Sequence, residues 1–436
     1  MKNIFVTFAI IFLFVFSIGF GYTQQNDTET VDIETLFNKG KEFFESGKYQ
    51  EALELYDKLL KTEPNSSSIL DAKGTVLSHL GKYHDAIELY DKALEVNPNS
   101  TKILYNKALI LYESNKLQDA LELYDKLLKT EPNNTDILSN TGKVFFRLGE
   151  YQEALKWYDK ALEIKPDHVR ALSGKGNSLY GLGKYQDAIT WYDKTLNIEP
   201  NNINALVGKG LTLSKLSNHQ EALELYDKFL KTEPNNTDIL SGKGDVFYFL
   251  GNHQEALQWY DKALEIKPDQ LPTLSGKGNS LYGLGKYQDA ITWYDKTLNI
   301  EPNNINALMG KGSALIDLGK YYEAIEWYDK ALKIKPDFMF ALSGKGDALS
   351  YLGKYQEAIE LYDKALEVEP NNTITLHNKG LTLSYLGKYQ EAIELYDKAL
   401  EIEQNNTSVI YSKGLSLYEL GKYQEALKWF DKALEV

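Results

Sequence analysis

The chain has 436 residues, 43% apolar and 25% charged, with no cysteine and a net charge of −14. Without cysteine there is no disulfide, no thiolate metal site, no thiol nucleophile and no cysteine-linked lipid. The acidic balance excludes a general nucleic-acid binder, which needs a cationic field to displace counterions from phosphate, and leaves room only for a local basic patch.

In chain order, Lys2 precedes a run from Ile4 to Tyr22 that carries no charge, and the next charge is Asp27. A basic start, an apolar core and small residues near its end form the layout of an export signal, with Ser17, Gly19, Gly21 and Thr23 offering small-x-small cleavage sites. The run is also nearly long enough to span a bilayer. Residues 1–22 are therefore read as a signal peptide or an uncleaved N-terminal membrane anchor, and residues 23–32 as a polar linker. Either reading exports the rest of the chain, as a secreted protein or one anchored to the outer face of the membrane.

From Ile33 a unit of 34 residues recurs, marked without a slip by Asp57, Asp91, Asp125, Asp159, Asp193, Asp227, Asp261, Asp295, Asp329, Asp363, Asp397 and Asp431. Twelve units fill 33–436, the last one four residues short. A fixed period of this size means a stacked array and leaves no room for a separate catalytic domain. Within a unit, Leu172, Gly176 and Leu179, and then Ala188, Tyr192, Thr195 and Leu196, follow 3–4 spacings, which predicts two amphipathic helices. Gly183-Lys184 marks the turn between them, and Glu199-Pro200-Asn201-Asn202 ends the second. Ser173–Leu206 and Ser275–Leu308 are identical, so identity between copies reports duplication, and only positions that differ inform about ligands.

Counted from Ile33, unit position 8 is Gly in eleven repeats and Ala108 in the third, and position 20 is always Ala. Position 24 is Tyr, with Phe430 in the last copy, and position 32 is Pro in ten repeats. This pattern resembles the tetratricopeptide repeat across 33–436. The resemblance implies an all-α, right-handed superhelical solenoid of helix-turn-helix repeats. It also implies a non-catalytic protein–protein interaction scaffold without a cofactor. The first helices would line a concave groove through unit positions 2, 5, 6, 9, 12 and 13. Two departures are systematic: position 4 is Leu or Ile where the family has Trp, and position 7 is Lys in every copy but Thr141. That lysine either pairs with the invariant Asp at position 25 or lays its stem along the seam and ends in solvent.

The groove positions carry Phe37, Phe44, Tyr105, Tyr112, Phe146, Tyr180, Tyr248, Phe249, Tyr282, Phe340, Tyr351, Tyr385, Tyr411 and Tyr418. Tyrosine pairs an apolar body with a hydroxyl, which suits a half-wet partner surface and makes these candidate partner-binding residues. The alternative is that position 12 packs on neighbouring helices. Trp157, Trp191, Trp259, Trp293, Trp327 and Trp429 share position 23 on the second helix and are read as packing between repeats. The only arginines, Arg147 and Arg170, form a candidate anion patch with Lys102, Lys143 and Lys215. With Asp136 and Glu113 in the same stretch, a solvated mixed-charge face is the competing reading. Asp238, Asp245, Asp317 and Asp347 make the later groove acidic.

Asn65, Asn99, Asn133, Asn235, Asn371 and Asn405 open Asn-x-Ser/Thr triplets at inter-repeat turns and are candidate glycosylation acceptors in an exported chain. Ser-Gly-Lys-Gly-Asn-Ser at 173–178 lies inside a predicted helix and fails the phosphate-loop pattern. No His pair has metal-ligand spacing, so no metal is expected. The partner is expected to be a protein or peptide segment, not nucleic acid, with membrane contact only through the N-terminal segment. Two competing functions are a self-associating envelope spacer, suggested by a last repeat without a polar cap over Trp429 and Leu434, and a carbohydrate-binding surface.

Overall fold

The computed structural model describes residues 32–436. The signal or anchor assigned to 1–22, and all of the linker but Asp32, lie outside the described residues. Among the described residues no helix is long and apolar enough to cross a membrane.

The described residues form 24 helices, two per predicted unit, in two compact units, one ending at Lys129 and one starting at Thr130. The first unit holds α1 (Ile33–Glu45), α2 (Tyr49–Thr62), α3 (Ser67–His79), α4 (Tyr83–Val96), α5 (Thr101–Glu113) and nearly all of α6 (Leu117–Thr130). The second starts with α7 (Thr135–Arg147), α8 (Tyr151–Ile164), α9 (Val169–Gly181), α10 (Tyr185–Ile198), α11 (Ile203–Lys215), α12 (His219–Leu230), α13 (Thr237–Phe249) and α14 (His253–Ile266). It continues with α15 (Leu271–Gly283), α16 (Tyr287–Ile300), α17 (Ile305–Asp317), α18 (Tyr321–Ile334), α19 (Met339–Tyr351) and α20 (Tyr355–Val368). It closes with α21 (Thr373–Tyr385), α22 (Tyr389–Ile402), α23 (Thr407–Glu419) and α24 (Tyr423–Glu435). Odd-numbered helices are the first of each pair.

Local chemistry sets these boundaries. The side chain of Asn202 accepts the backbone N–H of Ala205 at 3.0 Å and caps α11; Asn134, Asn236, Asn304, Asn372 and Asn406 cap their helices in the same way. First helices end at unit position 13; two residues on, Gly183 takes φ 72° and the Lys184 N–H returns to the Leu179 carbonyl at 2.9 Å. Asn115 and Ser217 hold that left-handed position in the third and sixth repeats.

The seam is built around the position-24 tyrosine. The Tyr192 ring is 1% exposed. A Cβ on Gly176 of its own repeat would lie 2.7 Å from that ring, and one on Gly208 of the next repeat 2.5 Å. The ring is therefore clamped between two successive first helices, which explains the glycine at position 6 as well as at position 8. Both rows of glycine are spaces for an aromatic ring, and filling them would overpack the core.

Among the position-7 lysines only Lys39, in the first repeat, is exposed. The other ten pair with the position-25 Asp of the preceding repeat, in ten rungs: Lys73–Asp57, Lys107–Asp91, Lys175–Asp159, Lys209–Asp193, Lys243–Asp227, Lys277–Asp261, Lys311–Asp295, Lys345–Asp329, Lys379–Asp363 and Lys413–Asp397. The lysine side chains are 8–23% exposed and their partners 44–55%, so each carboxylate keeps part of its hydration while bridging two repeats. Thr141, which replaces the lysine in the fourth repeat, bonds the Ile137 carbonyl at 2.8 Å instead.

The tryptophans complete this row. Lys175 sits 3.8 Å from the Trp191 ring centre and Lys194 3.7 Å from the same ring. Trp259, Trp293, Trp327 and Trp429 repeat the arrangement with their own two lysines. Each ring is half-buried, so the position-23 residue packs the seam and also receives the ladder's cation on its π face.

Candidate functional site

In the second unit, unit positions 2, 5, 6, 9 and 12 of successive first helices converge on a cavity of about 420 Å³. Phe146 from α7 and Tyr180 from α9 supply aromatic walls, and Val207 and Leu211 from α11 an aliphatic one. Asp238, Ser241 and Asp245 from α13, with Gln270 at the start of α15 and Asn177 and Asn204 from α9 and α11, supply the polar side. The Asp245 carboxylate accepts the Tyr260 hydroxyl at 2.6 Å, and burial pushes its carboxyl from 3.8 up to about 7. Gln270 occupies a helix-cap position but makes no cap bond; its amide N–H donates to Asp238 at 2.6 Å.

Asp245 and Pro272 also border a second cavity of about 850 Å³, lined in addition by Arg147, Met309, Phe338 and Phe340. A third, of about 290 Å³, lies between Tyr351 and Tyr385, with Asp347 in its wall. Asp347 accepts Tyr362 at 2.7 Å and Asn378 at 2.9 Å, and burial raises its pKa.

The aromatics of the predicted groove fall into two groups. Four position-12 rings are half-buried and lean on the position-17 residue of the same repeat: Phe146 on Tyr151 at 5.5 Å, Tyr180 on Tyr185 at 5.5 Å, Tyr248 on His253 at 5.3 Å and Tyr282 on Tyr287 at 5.4 Å. They are packed on one side and open on the other. Tyr282 also donates to Asp317 at 2.6 Å. Phe249, Phe340, Tyr351, Tyr385, Tyr411 and Tyr418 are exposed. Tyr351 stacks on Tyr321 of the preceding repeat at 5.1 Å, and Tyr385 on Tyr355 at 5.7 Å. In the first unit Phe37 leans on Tyr56, Phe44 on Tyr49 and Tyr105 on Tyr124, while Tyr112 is half-buried.

The basic residues are engaged internally. Arg170 lies 3.3 Å from Asp136, which also meets His168 at 3.3 Å, and Lys215 sits 4.4 Å from the Phe249 ring. Lys143 and Arg147 are exposed on α7. Lys102, in the first unit, reaches the buried Asp71 at 2.9 Å, and Asn106 donates to that carboxylate too. The six Asn-x-Ser/Thr asparagines are all exposed at the turns. Ser173–Ser178 lies within α9, and among the described residues no group of three or more His, Asp or Glu is arranged to hold a metal.

Ser241 and Gln270 were not among the sequence candidates. The signal for Gln270 was its place in a row where asparagine recurs: a longer amide cannot cap its own helix and turns to a neighbour. Ser241 carried no such signal.

Residues 133–201 and 337–405 match one family profile described as tetratricopeptide repeat, and residues 207–270 and 377–435 match a second of that description. Together these cover more than half of the chain. Residues 42–164 match the N-terminal TPR repeats region of Psidin, and 283–365 match subunit 3 of the anaphase-promoting complex, or cyclosome. No curated protein matches the chain. Among solved structures, the APC/C hetero-tetramer Cut9–Hcn1 aligns at a TM-score of 0.53 and 16% identity, covering 93% of each chain. Yeast Tom70 aligns at 0.47 and 17% identity, covering 89% of this chain and 96% of its own. The first likeness supports the same fold, and the profiles agree with the helix pairs and the glycine–tyrosine seam: the chain belongs to the tetratricopeptide repeat family, non-catalytic scaffolds for protein–protein interaction.

Proposed function

We propose that this scaffold works outside the cytoplasm and takes a partner polypeptide along the face formed by its first helices. The observation that carries the binding face is the 420 Å³ cavity, whose walls come from the same unit positions of five successive first helices. Half-buried tyrosines are pre-positioned by their ring contacts, so little side-chain freedom is lost when a segment docks on them. Charge would set the direction of that segment, from Arg147 and Arg170 toward Asp245, Asp317 and Asp347. The export reading rests on the charge-free run from Ile4 to Tyr22 after Lys2.

Cross-linking in whole cells, followed by identification of the captured chain, tests both parts. The expected result is a partner reached from outside the membrane and lost when Tyr180, Tyr248 and Tyr282 are changed to alanine. Capture that is unaffected by the triple change refutes the face, and capture of cytoplasmic proteins alone refutes the location.

A further inference from the structure

The cavity between α7 and α15 has an uneven chemistry that narrows what it holds. Its aromatic and aliphatic walls suit an unbranched apolar stem. Its polar side is rich in acceptors: the carboxylates of Asp238 and Asp245, the Gln270 carbonyl oxygen and the Ser241 hydroxyl, with the amides of Asn177 and Asn204 beside them. No basic residue lines it. Gln270 is 5% exposed and Ser241 4%, yet Gln270 Oε1 and Ser241 Oγ have no hydrogen-bond partner in the protein. Buried polar atoms left unpaired are costly, and two of them belong to residues that line one cavity beside two carboxylates, which marks a region short of donors.

We propose that this cavity is the seat of an arginine side chain from the partner segment, its stem against Tyr180, Val207 and Leu211 and its guanidinium across Asp238, Asp245 and Gln270. A guanidinium carries five N–H donors in a plane and no acceptor, which matches two carboxylates and an amide oxygen better than a hydroxyl or an amide does. Its flat face also stacks on an aromatic ring, and Phe146 and Tyr180 offer two. The seat rests on the groove reading above and adds the chemistry of the residue that anchors there.

The test uses the full chain with labelled isoleucine, leucine and valine methyls, titrated with N-acetylarginine methylamide. Its citrulline analogue serves as the uncharged probe of the same shape. Saturable shifts of the Val207 and Leu211 methyls are expected with arginine. Citrulline should bind about tenfold more weakly, the scale of a lost charge-assisted hydrogen bond. Asp245→Asn and the exposed Asp238→Asn should each weaken arginine to a similar degree, with the remaining methyl spectrum showing that the fold is kept. No saturable shift, or an equal response to citrulline, overturns the seat. The groove reading is judged separately, by capture with the three-tyrosine variant, so failure of one is not failure of the other.

Discussion

Breaking one rung of the lysine ladder from each side should cost different amounts. In the ninth repeat Lys311 is 12% exposed, pairs with Asp295 of the preceding repeat and lies 3.8 Å from the Trp327 ring; Asp295 is 44% exposed. An exposed ion pair contributes up to about 1 kcal/mol, and breaking a buried one costs about 3–5 kcal/mol. Lys311→Met keeps the stem against the seam and leaves a carboxylate that water can reach, so the expected loss is about 2 kcal/mol, including the cation–π contact. Asp295→Asn instead leaves an ammonium mostly shut away from water, and the loss should be nearer ~3 kcal/mol. The double substitution should cost less than the sum, because neither charge is then stranded. A long array does not unfold in one step, so the assay is hydrogen exchange of the Ile305–Asp317 helix, where ~2 kcal/mol appears as about 30-fold faster exchange. Less than twofold change in both single variants would mean the lysines are effectively solvated, and the ladder would be an ornament of the repeat.

The same geometry sets three further expectations. The Asp245 carboxyl is raised from 3.8 to about 7 by burial, with Tyr260 bonded to it, Tyr226 and Tyr180 nearby and Arg147 across the shared cavity. The unfolded chain releases this proton near pH 4 and the folded one near pH 7. Stability therefore falls as pH rises through that window, by at most about 4 kcal/mol. Asp245→Asn should match wild type near pH 4 and protect α13 from exchange better than wild type at pH 8; equal protection at pH 8 would contradict the burial argument. A Cβ at Gly210 would lie 2.1 Å from the Tyr226 hydroxyl, so Gly210→Ala should destabilise by about 1–3 kcal/mol in a melting comparison. Ser217 holds φ 62° where most repeats have glycine, so Ser217→Gly should stabilise by about 1 kcal/mol, and a lower melting temperature would count against it.

The sequence alone determined the helices, their turns and the family, because those features are local and repeat twelve times. An Asn before a first helix, a Gly in the left-handed position and a Pro after the second helix act within a few residues of where they stand. The glycine, alanine and tyrosine rows were legible too, since their spacing carries the seam. What only the tertiary structure decided lies between repeats. Lys311 has Asp329 in its own repeat and Asp295 in the one before, and the sequence offers both; stacking puts the preceding second helix beside the first helix, and Asp295 takes the charge. The position-6 glycines have no reason within their own repeat; the tyrosine ring of the preceding repeat takes the space beside them. Ser241 and Gln270 became a site only when α9, α11, α13 and α15 were placed side by side, because a shared cavity is a property of the register between repeats and of no single copy.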